Sequence, residues 1–250
     1  MATLSKIVQF CETITCNAEF KDYKGAYNGL QIENNGTVQK IGASVDASLE
    51  CFEKAIKKGI DFLICHHGPF WGAIVPLTGL NYRKMKLALD HNLAVYGSHL
   101  PLDAHAEIGN NVLLAKAIGL APSGQFGEHE GKSIGWYCDV DLPRDDLKSK
   151  LLAQFPKLIA MEHGSQSVQR VGIMTGSGAS MLPELAAYGI DTLITGECSQ
   201  HHFAQSQELG INLYLGGHYA TEVFAVQALG EKVSKEFGID LEFVSTDCPL

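Results

Sequence analysis

Residues 38–64, VQKIGASVDASLECFEKAIKKGIDFLI, recur at residues 168–194 as VQRVGIMTGSGASMLPELAAYGIDTLI. The two stretches align without a gap and share a Val-Gln start, Gly42 or Gly172, and the closing Gly-Ile-Asp and Leu-Ile. Each copy reads as an apolar strand, a turn, a helical stretch that ends at glycine, and a second strand. Two unrelated units of this kind would share some of these matches, but the ungapped alignment favours an internal duplication.

Similar strand-like and helix-like stretches alternate through the rest of the chain. The strand-like runs are KIGASV (40–45), DFLIC (61–65), NLAVYGS (92–98), RVGIMT (170–175), DTLITG (191–196) and INLYLGG (211–217). The helical stretches are LECFEKAIKKG (49–59), RKMKLALDHN (83–92), NNVLLAKAIG (110–119), LPELAAYG (182–189) and AVQALGEKVSKEFG (225–238). This alternation predicts an α/β protein with largely buried strands. We expect two related α/β halves, residues 1–130 and 131–250, intertwined as one unit with a shared site.

Composition excludes several classes of function. The chain has 250 residues, of which 46% are hydrophobic and 19% charged, as in ordinary globular proteins. No apolar run approaches the roughly 20 residues that a membrane span needs, so we expect no membrane contact. The formal net charge of −9 makes nucleic acid an improbable partner, but a small anionic or nucleotide substrate remains compatible with it.

The cysteines and the N-terminus predict a cytoplasmic protein. The seven cysteines form an odd set without a C-x-x-C pair, which is typical of reduced thiols. The N-terminal stretch MATLSKIVQFCETI has neither the basic start nor the cleavage site of a secretory signal. It predicts instead an amphipathic helix that is capped by Thr3 or Ser5.

A second match between the halves contains histidine and carboxylate residues. AVYGSHLPLD (94–103) aligns with LYLGGHYATE (213–222), which places His99 on His218 and Asp103 on Glu222. If the second stretch is helical, its histidine and glutamate leave one face a turn apart. Pro101 disfavours a regular helix in the first stretch.

Two adjacent histidines, His66 and His67, end the strand DFLIC, and Gly196-Glu197 occupies the same place in the second copy. Sites in parallel sheets lie at the carboxyl ends of strands, so we expect these residues to join those of the second match. The full set of candidates is His66, His67, His99, Asp103, His218 and Glu222.

Imidazole and carboxylate ligands without thiolates suit Zn, Fe, Mn or Co. Adjacent histidines on an extended chain point in opposite directions, which fits two metals better than one. Glu222 could bridge such a pair, and two metals about 3.5–4 Å apart would acidify a shared water.

Simpler roles are open for several of these residues. His99 could be a hydrogen-bonded turn residue or a support for the ligands, which we favour over direct ligation. Asp103 could cap the following helix. We expect four further histidines at the surface: His91, His105, His129 and His163.

The quoted motifs resemble the YbgI-type, NIF-three-like family of dinuclear metal proteins, often labelled GTP cyclohydrolase I type 2 homologues. The resemblance lies in YNGLQI (27–32), CHHGPFWG (65–72), YGSHLPLDAHAEIGNN (96–111), TGE (195–197) and GGHYATE (216–222). It implies two pseudo-twofold-related α/β halves with a metal pair in the cleft between them, and a homohexameric ring.

The resemblance also implies roles for the candidate residues. His66 and His218 would bind one metal, His67 and Asp103 the other, and Glu222 would bridge the two. The family often has another histidine after the Gly-Asp/Glu of the second half. His201 and His202 both follow here, so they join His99 as candidate proton shuttles.

Two functions follow from a site of this kind. The first is a metal-dependent, cyclohydrolase-like hydrolase with two divalent ions (Zn, Fe or Mn), in which metal-bound water is the nucleophile. The alternative is a non-catalytic metal-binding regulator, metal chaperone or assembly scaffold.

Overall fold

The computed structural model describes residues 2–73 and 75–249. The strands are β1 (Ala2–Thr3), β2 (Gly29–Ile32), β3 (Thr37–Val38), β4 (Lys40–Asp46), β5 (Phe62–His67), β6 (Ala94–Gly97), β7 (Gly124–His129), β8 (Lys132–Pro143), β9 (Ile159–Glu162), β10 (Ser167–Met174), β11 (Thr192–Thr195), β12 (Asn212–Leu215) and β13 (Asp240–Phe243). The α-helices are α1 (Leu4–Thr15), α2 (Leu49–Lys57), α3 (Gly79–Asp90), α4 (Leu100–Asp103), α5 (Asn110–Ala117), α6 (Arg144–Gln154), α7 (His201–Leu209), α8 (His218–Thr221) and α9 (Val223–Phe237). The order of elements confirms the α/β class.

Two local predictions need correction. Leu100–Asp103 forms a helical turn although Pro101 lies in it, because proline is tolerated in a first turn, where the backbone N–H has no partner within the helix. The stretch predicted as a helix at residues 182–189 lies in a 3-10 helix, Gly178–Tyr188, with Pro183 inside. Proline removes an N–H donor and disfavours a regular α-helix there.

The chain forms two compact units, the first of which contains the residues up to Leu102 and Ala225–Asp247. Its five-stranded sheet has the order β13-β4-β5-β6-β2 within the described residues. The first four strands are parallel and β2 is antiparallel to β6. Buried side chains such as Phe52 and Leu63 pack α2 and α3 against the sheet. Burial of such side chains stabilises the unit by about 1.5–3 kcal/mol each.

The second unit contains Asp103–Phe224. Where the structure describes it, its sheet has six strands in the order β7-β8-β10-β11-β12-β9. The central strands β10, β11 and β12 are parallel, while β8 and β9 flank them in the antiparallel direction. The half boundary expected between residues 130 and 131 falls at the turn between β7 and β8.

The two repeats form the same backbone hydrogen bonds. Asp61 accepts from the N–H groups of Gln39 and Lys40 at 2.9–3.1 Å. Asp191 accepts from the corresponding Gln169 and Arg170 at 2.8 and 3.3 Å. In each unit this carboxylate ties one strand to the start of the next, which supports the duplication read from the sequence.

The seven cysteines are free thiols. Among the helices in residues 2–73 and 75–249, none combines the length and apolarity that crossing a bilayer requires.

Candidate metal centre

Three histidines meet at the carboxyl end of the first unit's sheet. His66 and His67 are the last residues of β5, and His99 follows β6, the parallel neighbour of that strand. One ring nitrogen from each of the three lies within 4.8 Å of the others. The ring centroid of His66 lies 4.9 Å from that of His67 and 4.9 Å from that of His99. The predicted convergence of these strand ends is therefore seen within the first unit.

Each of these imidazoles is oriented through its Nδ1 atom. His66 Nδ1 lies 3.0 Å from the Ser98 carbonyl oxygen, and His67 Nδ1 lies 2.9 Å from Asp46 Oδ1. His99 Nδ1 lies 2.9 Å from Asp22 Oδ1. Metal-binding histidines are usually held in this way by an acceptor on the other ring nitrogen. The arrangement leaves Nε2 of each ring oriented to bind a metal or to carry a proton.

The sequence analysis did not predict that Asp22 and Asp46 belong to the site. Asp46 ends β4, so its place at the same sheet edge was a usable signal, whereas Asp22 lies in a loop and gave none. Burial raises the pKa of Asp22, but hydrogen bonds from His99 and Asn28 outweigh this and lower the pKa below its ordinary value. Asp22 is therefore a carboxylate that accepts the His99 N–H.

The second unit contains a histidine held between two carboxylates. His218 begins the single-turn helix α8, and Glu222 follows that helix directly. His218 Nε2 lies 3.2 Å from Glu222 Oε2, and its Nδ1 lies 2.9 Å from Glu197 Oε1. Burial opposes protonation, but hydrogen bonds to Glu222 and Glu197 raise the pKa of His218 to about 9. The predicted one-turn spacing of His218 and Glu222 is confirmed, and Glu197 is an additional residue of this cluster.

Both candidate carboxylates of this unit lie beside the turn that follows β10. Asp103 Oδ1 accepts from the Asn110 side chain at 2.8 Å and from the Thr175 hydroxyl at 3.3 Å. At the next residue, Gly176, a Cβ would lie 2.3 Å from Glu222 Oε1 and 3.2 Å from His218 Nε2. The glycine therefore makes the space in which this carboxylate and imidazole lie.

The remaining histidines have other surroundings. His201 and His202 stack at 4.0 Å at the start of α7. Neither belongs to a described group of side chains with converging metal ligands. Of the histidines expected at the surface, His91 is exposed, while the others are partly buried: His105, His129 and His163.

The chemistry of both clusters fits a divalent metal. The first unit offers three imidazole nitrogens within 4.8 Å of one another. The second offers an imidazole together with Asp103 and Glu222, which are 6% and 2% exposed. Buried carboxylates are costly unless hydrogen bonds or a cation compensate them. Nitrogen and oxygen donors of this kind suit Zn, Fe and Mn.

The fold and these clusters thus define an α/β protein with groups that can hold a metal ion. The family description Duf34/NIF3 (NGG1p interacting factor 3) matches residues 2–249, and the chain belongs to this family. A relative from Deinococcus radiodurans, named GTP cyclohydrolase 1 type 2 homolog, is 41% identical over 231 residues, which cover 88% of this chain and 87% of the relative. A relative of the same name from Archaeoglobus fulgidus is 34% identical over 241 residues, 96% of this chain and 97% of the relative.

Solved structures give the same assignment. The chain is similar to protein ybgI, described as of unknown function, with a TM-score of 0.91 and 33% identity over 99% of this chain and all of the other. It is equally similar to TTHA1606 from Thermus thermophilus, with a TM-score of 0.91 and 31% identity over 99% of this chain and 100% of the other. The resemblance read from the sequence is confirmed.

Proposed function

We propose that this protein is a metal-dependent hydrolase that opens the heterocycle of a guanine nucleotide. The observation that carries the proposal is the common orientation of four histidines. His66, His67, His99 and His218 each direct Nδ1 to a fixed oxygen acceptor. Such acceptors orient the ring and raise its basicity as a ligand. The relatives named GTP cyclohydrolase 1 type 2 homolog support the reaction class and substrate.

The proposed metal ligands are the five residues named in the sequence. They are His66, His67, Asp103, His218 and Glu222, with Zn, Fe or Mn as the metal and two ions per chain. When bound, the metal would acidify water to a nucleophile near neutral pH. The buried carboxylates Asp103 and Glu222 match the positive charge of such an ion.

The reaction also requires proton transfer, which we assign to His99. The attacking water loses a proton as its oxygen bonds to C8 of the guanine ring. The ring nitrogen gains a proton as its bond to C8 breaks. His99 is buried and oriented by Asp22, and a positioned imidazole can carry a proton in both directions. His201 and His202 are weaker candidates because they do not belong to either cluster.

Metal content tests the proposal first. The wild type, purified without a metal-binding tag, is compared with His67→Ala and Glu222→Ala by elemental mass spectrometry. We expect about two metals per wild-type chain and marked loss in both variants, with His91→Ala, a change at an exposed histidine, as the matched control. A wild type that stays metal-free after exposure to Zn, Fe and Mn would contradict the proposal.

Turnover separates the hydrolase from a non-catalytic metal protein. The metal-loaded wild type should convert GTP, with loss of the 8-proton signal in NMR spectra, and His99→Ala should lose conversion but keep its metal. Loss of metal in His99→Ala would instead make His99 a ligand. Full metal content without conversion of GTP would favour a regulator, metal chaperone or scaffold.

We also propose a cytoplasmic homohexamer. The seven free thiols support a reducing compartment. Leu80 and Leu89 are exposed apolar side chains on α3, and they support association, because contacts between copies would remove such side chains from water. Light scattering should give the mass of six chains of 27.1 kDa, and a monomer at micromolar concentration would contradict the assembly.

A further inference from the structure

A cavity lies beside the three histidines of the first unit. Its volume is about 490 Å³, within the range of roughly 300–1,000 Å³ that small-molecule pockets occupy. Its wall includes three aromatic side chains, Tyr27, Phe70 and Trp71, which are 54%, 42% and 46% exposed. The described residues that line it carry no charged side chain. The cavity therefore suits a neutral, flat ligand.

Gln31 fixes two walls of this cavity. Its Nε2 donates to the Tyr27 carbonyl, and its Oε1 accepts from the Phe70 N–H at 3.1 Å. A Cβ on either Gly68 or Gly97 would lie 2.2 Å from Gln31 Nε2. A side chain at either position would displace this amide from its place between the two segments.

Backbone contacts hold the loop that contains Trp71 in place. Ala26 and Trp71 form an isolated antiparallel bridge, and the Gly72 N–H donates to the Gly25 carbonyl at 2.9 Å. A Cβ on Gly25 would lie 2.5 Å from the Gly72 oxygen, so the close approach requires glycine. The aromatic walls are therefore preorganised, which reduces the entropy lost on binding.

Trp71 joins the cavity to the histidines. Its ring centroid lies 4.7 Å from that of His99, with the planes at 87°, and 5.4 Å from that of His67. A flat ring that packs against Trp71 from the cavity would therefore be one side chain away from these imidazoles.

We propose that this cavity binds the neutral heteroaromatic ring of the substrate, stacked between Tyr27 and Trp71. Aromatic faces recognise nucleobases by stacking, whichever base is present. Asn81 lies on the wall, and its side-chain amide offers a donor and an acceptor to the polar edge of a ring. The inference rests on the proposed function only in naming this ring as the one that reacts.

The fluorescence of Trp71 can report the binding directly. The chain has two tryptophans, so Trp136→Phe leaves Trp71 as the only one. Guanosine is titrated into this variant, metal-free and metal-loaded, with ribose as the probe that lacks a ring. We expect saturable quenching by guanosine in both forms and none by ribose, because the contact is with the base.

Two further variants in the Trp136→Phe background locate the contact. Tyr27→Ala should weaken guanosine binding at least about tenfold, as loss of one stacking partner does. Tyr82→Ala is the matched control, because Tyr82 is 52% exposed on α3 and is not among the described residues that line the cavity. It should bind guanosine as tightly as the parent.

Several results would overturn the inference: no saturable quenching by guanosine, equal quenching by ribose, or equal weakening by Tyr27→Ala and Tyr82→Ala. Failure of the proposed function gives a different result. Quenching with the expected variant effects, but without metal binding or turnover, supports the cavity and contradicts the hydrolase. Turnover without quenching overturns the cavity inference alone.

Discussion

The two repeats share a backbone but assign different roles to the residues at the strand ends. In the first repeat His67 is a candidate ligand, and Asp46 orients it at 2.9 Å. The positions aligned with this pair in the second repeat are Glu197 and Gly176. There the carboxylate orients His218 at 2.9 Å, and the glycine leaves space for Glu222.

The residue before His67 also has a different role in each repeat. His66 of the first repeat aligns with Gly196, where a Cβ would lie 2.6 Å from the Cα of His218. A side chain at 196 would therefore displace the histidine that the second unit does use. Duplication preserved the strand geometry, whereas the imidazoles moved to different elements, which is consistent with function depending on side chains placed on a common fold.

Among the changes that test this difference between the repeats, we expect Gly176→Ala to have the largest effect. The new Cβ would lie 2.3 Å from Glu222 Oε1 at a φ of 66°, so the carboxylate and His218 must shift. We expect metal affinity to fall about 10–100-fold, as for loss of supporting residues around a metal. The measurement is competition with a chelator of known affinity.

Two variants serve as references for Gly176→Ala. Gly210→Ala has a similar φ of 65°, and no described atom beyond its chain neighbours lies within 4 Å of the Cβ, so it tests backbone strain alone and should keep its metal. Asp46→Ala, at the aligned position of the first repeat, should lower metal affinity roughly tenfold by releasing His67. Equal affinities in Gly176→Ala and Gly210→Ala would show that the space beside Glu222 is unimportant.

The paired glycines within the repeats test the shared packing. A Cβ on Gly42 would meet three side-chain atoms of Ile60 and Leu63 at 2.9 Å, whereas one on Gly172 would meet Ile190 and Phe126 at 3.1–3.2 Å. Overpacking of this kind costs about 1–3 kcal/mol, so Gly42→Ala should destabilise more than Gly172→Ala in urea unfolding.

A second change tests the cause of that destabilisation. Ile60→Val removes Cδ1, one of the three atoms that the Cβ of Gly42→Ala would meet. The double variant should therefore be more stable than the sum of the single effects predicts. Strict additivity would mean that the cost of Gly42→Ala does not come from this contact.

The equivalent aspartates test the hydrogen bonds that the repeats share. Asp61→Ala and Asp191→Ala each remove an acceptor from two backbone N–H groups. We expect each to lower the free energy of unfolding by about 1 kcal/mol. Asp240→Ala, at an exposed aspartate of β13, is the control and should have little effect. A large difference between Asp61→Ala and Asp191→Ala would contradict the equivalence.

The smallest effects should come from ion pairs beside each repeat. Lys40 pairs with Glu242 of β13 at 2.7 Å, and the aligned Arg170 pairs with Asp139 of β8 at 2.6 Å. Hydrogen bonds from Lys40 and Lys58 lower the pKa of Glu242 from its ordinary value near 4.5 to about 2. Because the folded pKa is the lower one, this stabilisation is present above pH 4.5 and is lost as the pH falls towards 2.

Thermal unfolding at several pH values checks this pair. Glu242→Gln should lower the melting temperature slightly at pH 7 and bring it close to the wild type near pH 2. High salt should reduce the difference, because the pair is exposed and therefore screened. Asp139→Asn should show the same salt response, and salt-independent losses would indicate a packing effect instead.

Periodicity and composition were sufficient to predict the α/β class and the strands β4, β5, β6, β10, β11 and β12, whereas β7, β8, β9, β13 and α6 were not predicted. Buried strands such as β4, β5 and β12 are continuous apolar runs, which a single sequence displays directly. The internal repeat and the histidine motifs also predicted that His66 and His67 would be joined by His99, and that His218 and Glu222 would lie one turn apart. The conformation around Pro101 and Pro183 was not predictable, because tertiary packing decides how a short helix accommodates proline.

The sequence by itself determined the residue types of the candidate metal site and the strand ends at which they lie. Only the tertiary structure showed Asp22, Asp46 and Glu197 as the acceptors that orient the histidines, because these residues are 21–77 positions away from their partners. It likewise brought Tyr27 and Trp71 to one cavity. Spacing along the chain reports contacts within one element, whereas contacts between loops depend on how the whole unit packs.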